Sequence, residues 1–478
     1  MNRPGSLERI YPHDEHSAHL IFRDQWGRRC GVYARKLIPA SPGPHPVVIH
    51  APGGGQTVSD GDLEWWCHQG FACVSFDWQH GLYDHDPRQK SSWPDSVLQQ
   101  GQPAQRIDQL IIPLAVQAVG VVIDWMAQDP RCDPERIGLT GISWGGYLTW
   151  VANAHEPRLK AAVPVYGCGG LFESENSCQI PIRDEVRAHW VAEFEPLHLG
   201  HRQLSPVCFL SGTNDFFGWP KHADHVLQTM TVPHRRCYLP NGDHAVDVGA
   251  SRLAVAWMRH WLCGGPAVPD EPQATDPGES WHSFSTGSED RMCWWPGVAP
   301  LGASAHLVKQ TSADGICVSS AIQRLTASEA PPLASHLGRV WPDARAGIGW
   351  HWSLSTTQLH GNEAVWVTSY EGDLQRVRVT GNRADNAGIT LRHTSDPRWN
   401  TDDFSGMRVR FDCPGRNLTV TWHMENPAHR WTQSTPVTID ADGWLRLDQP
   451  PDSWKSITRI DLDGLPGPSF ILGPIERC

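Results

Sequence analysis

Seven residues, Thr140-Gly141-Ile142-Ser143-Trp144-Gly145-Gly146, limit what this chain can fold into more than any other stretch. Ile137–Thr140 before them reads as a short buried strand, and Tyr147–Ala154 after them is apolar enough for a packed helix. Between the two lies a G-x-S-x-G pattern. A serine at the tip of so sharp a turn has a strained backbone, and the residues two positions away must be almost free of side chain. Gly141 and Gly145 meet that demand, and Gly146 lets the helix close onto the sheet. The turn lifts the Ser143 hydroxyl above the strand ends and aims the Trp144 amide at the same point. Five-residue patterns with three fixed positions do recur by chance; the flanking strand and helix set this one apart.

The surrounding sequence alternates strands and helices. Ala18–Leu37 carries a hairpin pattern around Asp24-Gln25-Trp26-Gly27. Pro46–His50 and Phe71–Phe76 are continuous apolar runs, expected of a parallel sheet covered on both faces. Leu63–Gln69 reads as a helix, and Ile107–Ala127 as a long one interrupted near its start by Pro113. Leu159–Tyr166, Pro206–Gly212 and Arg235–Leu239 are further buried strands, and Val248–Leu262 is a closing helix. The fold class expected is α/β: a doubly wound, mostly parallel sheet over residues 1–265. Gly167–Gly200 is less regular and is expected to form a small lid, because loops at strand carboxyl ends build the site in such sheets.

Gly264–Gly278 is rich in Pro, Gly and Asp, and residues 266–280 are expected to be a linker. From Trp281 to Cys478 the pattern changes to short alternating runs, the signature of an all-β sandwich or jelly roll. Ala327–Gly347 is Pro- and Ala-rich and could divide this part into two β units.

A net charge of −12 with no Lys/Arg cluster argues against a nucleic-acid partner, and no apolar stretch is long enough to cross a membrane. Residues 1–25 show no targeting pattern, so a cytoplasmic location is expected. The thirteen cysteines lack C-x-x-C spacing and read as free thiols, with neither a metal site nor another cofactor indicated. A homo-oligomer is compatible with the sequence, which does not decide it.

A serine hydroxyl needs a base, and the base needs an orienting carboxylate. Asp215 stands at the end of a buried strand, and His244 follows the last strand in Asn241-Gly242-Asp243-His244. Both are expected above the same sheet edge as Ser143. Asp243, Asp224 and Asp247 are weaker rivals for the acid, since an adjacent residue points away and the others lie in or near helices. The run Ala51-Pro52-Gly53-Gly54-Gly55-Gln56 can turn backbone amides toward a ligand.

Taken together, Gly141–Gly146, His50–Gln56, Gly212-Thr213-Asn214-Asp215 and Gly242-Asp243-His244 resemble the α/β-hydrolase superfamily. Within it they are most similar to its acetyl xylan esterase, dienelactone hydrolase and prolyl oligopeptidase-like branch. The resemblance covers residues 20–265. It implies Ser143 as nucleophile, His244 as base, Asp215 as orienter, and an oxyanion hole from the amides of Trp144 and Gly54. Pro52 stands where lipase-type members often have His, which leaves the choice among Gly53, Gly54 and Gly55 open. Ser395-Asp396-Pro397, Asp442-Gly443-Trp444 and Trp454–Asp461 resemble β-sandwich modules of carbohydrate-active enzymes. Twelve of the 24 tryptophans follow residue 280, either as sugar-stacking platforms or as core.

The activity implied is hydrolysis of small acyl esters through an acyl-enzyme, acylated sugars among them, without cofactor or metal. One rival is a serine peptidase of the prolyl oligopeptidase or X-prolyl dipeptidyl peptidase kind, with Glu173, Glu175, Arg183 and Asp184 as a terminus anchor. Another is a non-catalytic carbohydrate-binding protein on a hydrolase frame.

Overall fold

The computed structural model describes residues 5–79, 90–95, 97–98, 104–172, 184–213, 215, 217–240, 244, 246, 248–273, 275–285, 292–296, 305–325, 350–354, 364–371, 374–380, 387–393, 399–400, 407–425, 430–447, 456–465 and 469–477. Its centre is a nine-stranded sheet: β1 (Leu7–Pro12), β2 (Ser17–Arg23), β3 (Arg29–Leu37), β4 (His45–Ala51), β5 (Ala72–Phe76), β6 (Cys132–Ile142), β7 (Leu159–Val165), β8 (Val207–Gly212) and β9 (His234–Leu239). The order is β1-β2-β3-β5-β4-β6-β7-β8-β9. β1, β2 and β3 enter antiparallel, and every pairing from β5 to β9 is parallel.

Alternation along the buried strands assigns each face its helices. Val47, Ile49, Ala72 and Val74 share a core with α2 (Ile111–Met126) and α3 (Trp144–Asn153). Ala162, Val207 and Phe209 extend that side to α5 (Pro220–Gln228). Val48, Cys73, Val163 and Leu210 turn to the opposite face, against α1 (Asp60–His68) and α6 (Val248–Cys263). The sheet is therefore doubly wound, as its apolar runs predict.

Two details differ from expectation. Pro113 does not interrupt a helix: a short 3-10 turn over Ile107–Gln109 precedes α2, and Pro113 falls in the first turn of α2. There its missing N–H removes no helical hydrogen bond. An additional strand, β1, lies on the sheet edge with Leu7 donating its amide to Asp124 of α2 at 3.0 Å.

Within Gly167–Gly200, residues 173–183 lie outside the described residues. In the remainder, α4 (Asp184–Glu193) is exposed along much of its length but buries Val186 and Trp190, and Trp190 Nε1 donates to the Tyr147 hydroxyl at 3.0 Å.

The stretch expected to be a linker has no helix or strand among its described residues before Glu279, where a strand begins, yet it is tied down. Arg235 donates to the Pro269 carbonyl at 2.7 Å, and Arg236 pairs with Glu271 at 3.0 Å. Beyond it, β10 (Glu279–Ser285), β11 (Met292–Pro296), β12 (Ala305–Thr311), β13 (Cys317–Ser319) and β14 (Gln323–Arg324) form a small antiparallel sheet. Ser319 Oγ accepts the Tyr238 amide at 2.9 Å, so this sheet is joined to β9. The remaining strands make two more antiparallel sheets. One contains Trp350–Leu354, Ala387–His393, Trp399–Asn400, Ser456–Leu465, Asn417–Glu425 and Arg430–Thr438. The other contains Ala364–Glu371, Leu374–Thr380, Ser469–Arg477, Met407–Phe411 and Trp444–Leu447. Ala327–Gly347 lies outside the described residues. Among the described tryptophans of this part, Trp281, Trp294 and Trp422 are buried, and Arg408 covers Trp444 at 4.2 Å. Those four are core or capped, not open platforms for a sugar ring.

Candidate active site

The elbow is built as its glycines require. Ser143 adopts φ 56° and ψ −121°, a strained conformation for a residue with a side chain, at the junction of β6 and α3. A Cβ on Gly141 would overlap the Gly145 carbonyl, and one on Gly145 would overlap that of Ala51. The Ser143 amide is held by the Val165 carbonyl at 2.9 Å, which fixes the turn to the end of β7. Trp144 is the first residue of α3, so its amide has no partner within the helix.

Asp215 follows β8 and is 1% exposed. Its Oδ1 accepts the amides of Phe217 at 2.7 Å and Gly218 at 2.6 Å, and its Oδ2 meets His244 Nδ1 at 2.8 Å. A carboxylate accepting three N–H groups holds its position without side-chain freedom. His244 lies after β9, part-exposed, with its ring 4.3 Å from that of Tyr166. The Tyr166 backbone is also in the left-handed region, at φ 33°, and its amide donates to Leu210 at 2.7 Å. Burial, then the charges of Asp215 and Asp62, push the Tyr166 hydroxyl well above its ordinary pKa, so it stays neutral.

The rivals for the acid separate. Asp224 is taken up elsewhere, accepting from Arg236, from the Tyr238 hydroxyl at 2.6 Å and from the Ile322 amide at 2.9 Å. Asp243 and Asp247 lie outside the described residues.

The glycine run sits against the elbow: a Cβ on Gly53 would stand 3.3 Å from Ser143 Cβ, and one on Gly54 2.7 Å from Trp144 Cδ1. Gly53 and Gly55 are buried and Gly54 is exposed. Trp144 packs on Phe217 with ring centroids 4.9 Å apart, walling one side of the elbow. Sequence reasoning missed Tyr166 and the residues that hold the glycine run, Trp78 and Gln79. The signal for these two was their place directly after a buried strand at the site's edge.

Three features now stand together: the β1–β9 order, a strained serine after β6, and an acid and a histidine following β8 and β9 in that chain order. The fold is that of an α/β-hydrolase. Comparison with known proteins finds several partial similarities. The family model of X-Pro dipeptidyl-peptidase (S15 family) matches residues 112–181. A putative carboxymethylenebutenolidase of Methylorubrum extorquens is 49% identical over 108 residues, which is 20% of this chain and 36% of that protein. The chain thus spans about a third of that relative's length. An acetyl xylan esterase from Paenibacillus sp. R4 has 15% identity, with 54% of this chain and 88% of that one covered and a TM-score of 0.43. An acetyl xylan esterase from a Thermoanaerobacterium species has 17% identity, 53% and 86% coverage and a TM-score of 0.41.

Among the described residues, no group of three or more His, Cys, Asp or Glu could hold a metal ion. No described helix is long and apolar enough to cross a membrane. Ten of the described cysteines form no disulfide, and burial raises the thiol pKa of Cys132 and Cys413 to about 11.

Proposed function

We propose that this α/β-hydrolase is a serine carboxylic-ester hydrolase acting through an acyl-enzyme, with Ser143, Asp215 and His244 as its triad. The observation that carries the reading is the 2.8 Å contact from His244 Nδ1 to a buried carboxylate, at the sheet edge where a serine occupies a strained elbow. Asp215 keeps the proton on Nδ1, so Nε2 carries the lone pair that takes the Ser143 proton. Oγ attacks the ester carbonyl, and the amides of Trp144 and Gly54 receive the developing oxyanion. The tetrahedral species collapses, the alcohol leaves with the proton from Nε2, and water repeats the sequence to free the acid.

Trp144, tilted against Phe217, walls the elbow on that side, which supports a short acyl group. Acetylated sugars are the substrate class we favour. A second reading has one specific support: residues 112–181 match a peptidase family model, so an X-prolyl peptide is the rival substrate. Of the anchor residues that reading needs, Asp184 is exposed at the start of α4, while Glu173, Glu175 and Arg183 lie outside the described residues.

A panel of p-nitrophenyl esters of graded acyl length, an acetylated xylo-oligosaccharide and an X-prolyl anilide separates the two. Ester turnover falling steeply beyond acetyl, with no anilide cleavage, is expected. Anilide cleavage at a higher kcat/KM than acetyl ester cleavage would replace the esterase reading with the peptidase one.

A further inference from the structure

We propose that Gln79 and Gln56 are positioning residues that clamp the glycine run 52–56 so that Gly54 presents its amide to the substrate oxyanion. The proposal rests on the ester-hydrolase reading above and names what sets that site's second donor.

Three consecutive glycines form a loose chain, and a loose donor must be ordered during reaction, which forfeits most of its value. This run is not loose. β5 lies parallel to β4, with His50 opposite Ser75, so the chain leaving β5 passes beside the run leaving β4. Trp78 donates its Nε1 to the Pro52 carbonyl at 3.0 Å. The buried Gln79 side chain then bridges the run: its Oε1 accepts the Gly55 amide at 2.6 Å, and its Nε2 donates to the Gly53 carbonyl at 3.2 Å. The two partners fix the amide's orientation, since an N–H needs the oxygen and a carbonyl needs the nitrogen.

Gln56 closes the other side. Its Oε1 accepts the Gly53 amide at 3.0 Å, and its own amide donates to the Gly53 carbonyl at 3.0 Å. The amides of Gly53, Gly55 and Gln56 are therefore engaged. Among the described residues the Gly54 amide donates to no protein group, and Gly54 is the exposed glycine of the three, against Trp144. Elimination thus selects Gly54, and the two glutamines hold it.

The test measures acetyl ester turnover and the affinity of a trifluoromethyl ketone, which becomes a tetrahedral alkoxide on the serine and needs the same donors. Gln79→Leu removes both bridging bonds. Its kcat should fall about 10²-fold, the cost of misplacing a reacting group, with KM little changed. Ketone affinity should fall by a matching factor, which a general loss of folded protein would not produce. Gln79→Glu keeps an acceptor for Gly55 and should recover part of both. Gln56→Ala changes an exposed side chain and carries the same test should Gln79→Leu fold poorly. Ser143→Ala, run alongside, separates the two claims. If it is inert while the folded glutamine variants match the parent in kcat and ketone affinity, the clamp is overturned and the esterase reading stands. If Ser143→Ala retains turnover, the esterase reading itself falls.

Discussion

Replacing Asp215 by Asn exchanges one oxygen for an NH2 group and should abolish turnover without unfolding the protein. The structure dictates how the new side chain must sit. Phe217 and Gly218 both present N–H groups to the Oδ1 position, at 2.7 and 2.6 Å. The amide oxygen of Asn has to face them, since the NH2 would meet two donors. That leaves the NH2 pointing at His244 Nδ1, 2.8 Å away in the parent. Nδ1 must then accept, which moves the ring proton to Nε2, the atom that has to take the proton from Ser143. A triad in the wrong tautomer loses about 10⁴-fold in kcat, or about 5.4 kcal/mol at 1.36 kcal/mol per tenfold. Stability should change far less, because the hydrogen bonds from both amides survive. Initial rates on p-nitrophenyl acetate with a parallel melting curve make the assay. Turnover within tenfold of the parent in the folded variant would refute the reasoning and free Asp215 from its assigned role.

Two further outcomes follow from the same geometry. Asp224→Ala strips a buried carboxylate from Arg236, Tyr238 and the Ile322 amide, and should cost about 3–5 kcal/mol. Thermal or urea unfolding reads that loss, and the variant should keep its turnover per folded molecule, in contrast to Asp215→Asn. Burial lowers the pKa of His155, His234 and His306 below the ordinary value of about 6.5. Above that value folded and unfolded chains are equally deprotonated. Below it the unfolded chain binds protons that the folded one refuses, so stability should fall from pH 7 to pH 5. A second loss belongs below pH 4, where the unfolded chain protonates Asp129 and Asp133 while Arg131 and Lys36, and Arg136, still hold the folded carboxylates ionised. A melting temperature that is flat between pH 7 and 5 would contradict the first window.

The parts of this molecule that were legible in the sequence are those whose signal is local. The elbow announces itself because Gly141 and Gly145 meet backbone carbonyls that no Cβ could approach. The parallel strands are readable because both faces of Val47-Val48-Ile49 and its neighbours are covered by helices. Asp215 and His244 could be picked from chain order and their places after strands. Gln79 stood out less: its place after a buried strand marks the site's edge, but glutamine has no preference that singles it out, and its role depends on β5 pairing with β4. Pro113 misled because the same residue breaks a helix in its interior and is welcome in its first turn. The tryptophans after residue 280 misled less than they tempted. A count cannot distinguish a stacking platform from core, whereas burial of Trp281, Trp294 and Trp422 can.

The central claim is that Asp215 and His244 make the Ser143 hydroxyl reactive. Labelling with a fluorophosphonate probe, followed by mass mapping of the modified peptide, tests it most directly. The account predicts one label per chain, on Ser143, lost in His244→Ala although that variant still folds. A folded, ester-cleaving protein that leaves Ser143 unlabelled, or labels it equally well without His244, would contradict it.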